Sequence, residues 1–181
     1  RNGLLETLSV KSNLKVVEPN DKEAIKPGVA YLAPANYHMY IELGKYFGLS
    51  TEGMVKYSRP AIDLTFETAA IAYKESLIGV ILSGANTDGA DGIGEVKRKG
   101  GYTLVQNPDE AGVATMPNGA IKATQIDKIL NIDEIIKEPK GGAHRNHDEM
   151  VGNVTLSIKK NLNELMQISP EELIYQRKNR F

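Results

Sequence analysis

At 181 residues, 41% of them hydrophobic and 25% charged, the chain suits one globular domain with an appendage. Its 22 basic and 23 acidic residues nearly cancel, which removes the global field expected of a nucleic-acid binder or a protein that adsorbs to anionic membranes. The absence of cysteine excludes a disulfide framework and thiolate chemistry, and no apolar run approaches membrane-spanning length.

In chain order, Leu4, Leu5 and Leu8 fall at helical spacing, so residues 1–8 read as the tail of a helix. Leu14 and Val16, then Val29, Tyr31 and Leu32, predict short strands separated by the turn formers Pro19-Asn20-Asp21 and Pro27-Gly28. His38 to Ile41 predicts another strand. After Pro60, the residues Ile62, Phe66, Ala69, Ala70 and Tyr73 form an apolar helical stripe. Leu77 to Leu82 is a continuous apolar run, the pattern of a strand buried on both faces. It leads into Ser83-Gly84-Ala85-Asn86-Thr87-Asp88-Gly89, a helix from about Gly89 to Lys99, the stop Gly100-Gly101 and a strand from Tyr102 to Val105. Strand, loop, helix and strand in that order make a βαβ unit, so the fold class is α/β, a three-layer sandwich around a mainly parallel sheet. Functional groups in such sheets gather at the carboxyl ends of strands, where the Ser83–Asp88 loop should lie, with Asp88 facing a cleft beside a central strand.

Met116-Pro117 opens a short helix through Ala123, and Ile126 to Ile136 completes the domain. Residues 139–149, with Lys140-Gly141-Gly142-Ala143, read as a linker. Residues 150–181 read as a helical extension: Val151, Val154, Ile158, Leu162 and Leu165 recur every three or four positions, and Ser169-Pro170-Glu171-Glu172 starts a second helix. Such a stripe needs a covering surface, either its own domain or a second copy in a homodimer.

Several patterns have plainer readings. Asp88 could cap the helix that follows it. Asp91 reads as a first-turn helix residue. The stretch Asn86–Glu95 lacks the alternating oxygen donors of a calcium loop, and Gly89, Gly92 and Gly94 reverse the dinucleotide fingerprint. His144 and His147 read as linker residues, so no metal or other cofactor is expected.

Four stretches, in order, carry a family resemblance. They are Tyr31-Leu32-Ala33-Pro34-Ala35-Asn36-Tyr37-His38; Arg59-Pro60-Ala61-Ile62-Asp63 followed by Phe66-Glu67-Thr68-Ala69-Ala70; Val80 through Gly92; and Gln106-Asn107 with Met116-Pro117 and Ala120-Ile121. Together they resemble the catalytic domain of the chemotaxis protein-glutamate methylesterases over roughly residues 1–138, and they imply that family's Rossmann-like fold. The resemblance implies a serine hydrolase that cleaves glutamate methyl esters and deamidates glutamines on the cytoplasmic helices of chemoreceptors, without membrane insertion, often behind a receiver domain. It makes Asp88 the orienting carboxylate of a Ser-His-Asp triad and the Ala85 amide an oxyanion-hole donor, although methionine is usual at that position. Asn86, Asn107 and Met116 become pocket candidates.

The family's serine loop and triad histidine do not occur here. Because the chain opens with Arg1 rather than Met, it reads as truncated upstream, and residues 1–181 alone are expected to be inactive. His38 matches a family histidine outside the triad, and no serine here has a strand–turn–helix elbow. The alternatives are a non-catalytic interaction module on the same fold, and a flavodoxin-like binder of nucleotides or effectors.

Overall fold

The computed structural model describes residues 2–12 and 14–135. The linker at 139–149, its two histidines and the helical extension at 150–181 lie outside the described residues.

The first helix, α1 (Asn2–Lys11), is three residues longer than the leucine spacing suggests, and Leu8 is 39% exposed and Val10 85%. Two short strands follow, β1 (Lys15–Val17) and β2 (Val29–Tyr31), paired in parallel. Strands β3 (His38–Ile41) and β4 (Phe47–Ser50) form an antiparallel hairpin with His38 opposite Ser50. The chain then enters α2 (Ile62–Tyr73), a short 3₁₀ turn, and β5 (Ile78–Ile81). The remaining elements are α3 (Ala90–Arg98), β6 (Tyr102–Gln106), α4 (Thr115–Ala123), β7 (Lys128–Leu130) and α5 (Ile132–Ile135). Strands β5, β6 and β7 form a parallel sheet in that order.

Helix α2 divides its apolar stripe between two cores. Ile62, Phe66 and Ala70, four residues apart, pack with Ile81 of β5, Ile93 and Val96 of α3, Val105 of β6 and Ala120 of α4. Ala69, Ala72 and Tyr73, on the adjacent flank, pack with Met39, Ile41 and Phe47 of the hairpin. Ile81, Ile93, Val96 and Val105 are at most 2% exposed, and burying each stabilises the fold by about 1.5–3 kcal/mol. At Gly92, α3 touches α2: an added Cβ would lie 2.7 Å from Phe66 Cβ and 2.9 Å from Asp63 Cα, so only glycine allows this approach.

The Leu77–Leu82 run is not buried on both faces. Gly79 and Ile81 face the helices, whereas Val80 and Leu82, pointing the other way, are 37% and 38% exposed. Helices α2, α3 and α4 cover one face.

Candidate active site

The loop that follows β5 is sewn to the loop that follows β6. Ser83 N–H donates to Gln106 Oε1 at 2.8 Å, and Gly84 N–H donates to Val113 O at 3.1 Å. Val113 N–H donates to Ser83 Oγ at 2.9 Å, and Met116 N–H to Gly84 O at 3.0 Å. Met116 forms the floor: a Cβ on Gly84 would lie 2.7 Å from both its Sδ and Cε. The loop is thus fixed from below by a side chain that also packs on the main core.

Asp88 ends this loop with its carboxylate turned toward α2. Its Oδ2 accepts the Ile62 N–H at 2.8 Å and its Oδ1 the Asp63 N–H at 3.0 Å, while the residue is 2% exposed. The sequence of α2 explains why. The residue at its N-cap is Ala61, which has no side-chain acceptor, so the first helical amides need an oxygen from elsewhere. The exchange runs both ways. Helix α3 also lacks a side-chain cap, because Gly89, at φ 93°, occupies the position, and Asp63 Oδ1 accepts the Gly92 N–H at 2.8 Å. Each helix therefore supplies or adjoins the carboxylate that satisfies the other.

Lys56 braces this exchange. Its Nζ lies 2.7 Å from Asp63 Oδ2 and 2.8 Å from Asp91 Oδ2, and donates to Thr87 O at 3.2 Å. Burial works against the charge on Lys56, but the hydrogen bonds to Asp63 and Asp91 outweigh it and raise its pKa above the ordinary lysine value. Asp88 itself forms no ion pair among the described residues. Its partners are the backbone amides that open α2, which would otherwise lack an acceptor. A carboxylate offers about four lone-pair sites. Two are used, so Asp88 retains capacity to orient another donor.

The other predicted residues fall into different settings. Ala85 is exposed, and its N–H makes no hydrogen bond among the described residues. Asn86 is committed to local structure, with Oδ1 accepting the Asp88 N–H at 3.0 Å and Nδ2 donating to Ser58 Oγ at 3.1 Å. Asn107 is similarly occupied: its Oδ1 accepts the Asp109 N–H at 3.1 Å and its Nδ2 donates to Asn131 Oδ1 at 2.9 Å. Asp88, Ala85 and Asn86 thus share one loop above Met116, whereas Asn107 spends its polar atoms on turns after β6. Strand β5 lies at the edge of the described sheet rather than its centre, and Asp88 is covered by α2 rather than open to a cleft. Asp91 does pair with Lys56, as a first-turn residue of α3.

His38 is fully buried in the hairpin, with Nε2 2.9 Å from Gly53 O; that contact fixes the proton on Nε2 and leaves Nδ1 without a partner. No group of three or more His, Asp or Glu side chains is placed to hold a metal among the described residues. None of the helices there is long and apolar enough to cross a membrane. Sequence reasoning missed Lys56, Ser58 and the Ile62–Asp63 amides. The signal was present in Pro60-Ala61, a helix entrance without a capping side chain.

Comparisons with known proteins identify the family to which this fold belongs. The family model described as CheB methylesterase matches residues 1–138. A second model, acetyl co-enzyme A carboxylase carboxyltransferase-like, matches residues 104–181, less than half of the chain and mostly outside the described residues. A putative protein-glutamate methylesterase/protein-glutamine glutaminase of Leptospira interrogans is 49% identical over 123 residues, covering 68% of this chain and 64% of the relative. The protein-glutamate methylesterase/protein-glutamine glutaminase 2 of Syntrophus aciditrophicus is 37% identical over 136 residues, covering 74% of this chain and 40% of the relative. The chain thus spans less than two thirds of the length of these relatives. The crystal structure of the Thermotoga maritima CheB methylesterase catalytic domain superposes with a TM-score of 0.69 at 34% identity, covering 74% of this chain and 72% of that one. The chain shares that α/β fold and belongs to the CheB methylesterase family.

Proposed function

We propose that this domain takes part in hydrolysing glutamate methyl esters, and in deamidating glutamines, on the cytoplasmic helices of chemoreceptors. Asp88 is the orienting carboxylate of a Ser-His-Asp triad whose serine and histidine come from outside residues 1–181. Serine Oγ attacks the ester carbonyl and its proton passes to histidine, whose other N–H is held by Asp88. The Ala85 N–H donates to the oxyanion that forms. Collapse expels methanol, or ammonia from a glutamine, with the histidine proton. Water then attacks the acyl-enzyme and releases the glutamate carboxylate. The observation that carries this reading is the pairing, on one fixed loop, of a helix-anchored carboxylate with spare lone pairs and an uncommitted amide three residues before it. A cytoplasmic setting, a receiver domain elsewhere in the protein and a homodimer through residues 150–181 belong to the same proposal.

The test is Asp88→Asn in the full-length protein, with methanol release from a methylated receptor as the readout. Loss of the correct histidine tautomer should lower kcat about 10⁴-fold. Near-normal turnover would remove Asp88 from the triad. One observation favours the interaction module instead: Asp88 already has a structural task at α2. On that reading the full-length protein binds receptor and releases no methanol.

A further inference from the structure

Between β4 and α2 the backbone adopts a conformation that its residues resist. Val55 and Ser58 exchange both backbone hydrogen bonds, at 3.1 and 2.8 Å, and so close a two-residue turn. Its central residues, Lys56 and Tyr57, have φ of 46° and 63°. This left-handed pair is the geometry of the primed hairpin turns, which favour Asn and Gly because a Cβ is crowded there. Such strain persists only where the surroundings over-determine it, and it concentrates at functional sites.

The surroundings here do so. Lys56 turns inward to Asp63, Asp91 and Thr87 O, and Ser58 Oγ accepts from Asn86. Upstream, Arg59 Nη1 donates to Thr51 O at 2.8 Å and to Glu52 O at 2.9 Å, and His38 holds Gly53 O. The backbone of residues 51–58 is therefore held from several directions, yet two of its apolar side chains, Met54 and Tyr57, are left outside the packing. Tyr57 is 98% exposed and Met54 65%. A flexible loop could display both without strain. A rigid one displays them already ordered, which lowers the entropy lost when a partner covers them. The segment is also joined to the candidate catalytic loop twice, through Asn86 and through Thr87 O, the residue before Asp88.

We propose that Tyr57, supported by Met54, is the substrate-docking anchor: its ring lies against the chemoreceptor helix and sets which glutamyl side chain reaches the Ala85–Asp88 loop. This rests on the esterase reading above. The chemistry suits an amphipathic helix, whose apolar face meets the ring while the phenol stays wet.

The experiment compares full-length wild type with Tyr57→Ala and Tyr57→Phe. It measures hydrolysis of a methylated receptor cytoplasmic fragment and, by calorimetry, binding of the same fragment unmethylated. Tyr57→Ala should raise KM and weaken binding about tenfold, with kcat changed less than twofold and an unchanged melting temperature. Tyr57→Phe should restore most of the affinity. Wild-type KM and affinity in Tyr57→Ala would overturn the inference and leave the esterase reading standing. A fall in kcat without a change in KM would also overturn it, because the turn would then act on the catalytic loop alone. If the wild type neither binds nor hydrolyses the fragment, the esterase reading fails and the inference falls with it.

Discussion

Two aspartates with almost no exposed side chain sit at opposite ends of the parallel sheet. Asp127, just before β7 at the amino end, is surrounded by complete compensation. Its Oδ1 is 2.5 Å from Lys97 Nζ, and its Oδ2 accepts both the N–H and the hydroxyl of Thr103 at 2.9 Å. Thr103 Oγ1 in turn accepts the Asp127 N–H at 3.0 Å. Asp88, after β5 at the carboxyl end, has two backbone amides and no cation. The first arrangement fills three of the roughly four acceptor sites and pairs the charge with a cation, leaving little to offer a ligand. The second is held as firmly in orientation but keeps acceptor capacity, which is what a residue that must orient a second group requires.

The largest test of this contrast is thermodynamic. Asp127→Ala strands Lys97 and both Thr103 donors, and should lower unfolding stability by about 2–3 kcal/mol in a denaturant titration. Asp88→Asn keeps one acceptor for two amides and should cost about 1 kcal/mol in the same titration. A larger loss at Asp88 than at Asp127 would reverse the comparison.

A smaller effect separates them by pH. Burial alone would raise the Asp127 pKa, but the hydrogen bonds from Lys97 and Thr103 outweigh it and hold the carboxyl below its ordinary 3.8. A depressed folded-state pKa contributes stability that is full above the unfolded value and is lost as pH falls through the folded one. Wild-type stability should therefore decline below about pH 4, and Asp127→Asn should show a shallower decline in urea midpoints measured down to pH 2. Equal slopes would deny Asp127 its charge-dependent role. The smallest effect isolates burial. Glu42 pairs with Lys22 in solvent, so Glu42→Gln should leave the melting temperature unchanged within error despite the loss of an ion pair.

Much of the fold was legible where a pattern repeats within one element. Helices α2 and α3 and strands β5 and β6 follow from apolar spacing and the glycine stop at Gly100-Gly101. Strand β4 was missed, because Gly48 interrupts the alternation and its pairing with β3 is a tertiary fact. The Ile126–Ile136 run resolved into β7 and α5, and its boundary was written in Asn131-Ile132-Asp133-Glu134. There the Asn131 N–H donates to Glu134 Oε2 at 2.9 Å, half of a capping box. Asp88 shows the limit most clearly. A capping role could be read from its place before α3, yet it caps α2, 25 residues earlier at Asp63. No local pattern encodes which helix a buried carboxylate will serve. The spacing around Lys56 is equally silent, since its acceptors come from α2, from α3 and from the loop between β5 and α3.

Among the described residues, the two edges of the β5–β7 sheet differ in what they offer an added strand. The outer edge of β5 has no strand partner among the described residues, and Ile78-Gly79-Val80-Ile81 contains neither the charge nor the proline that usually discourages strand addition. The opposite edge differs: β7 opens with Lys128, an exposed charge at the place where another strand would start. Among the described residues, the four-residue ribbon that leads into the Asp88 loop is therefore the edge least protected against strand addition.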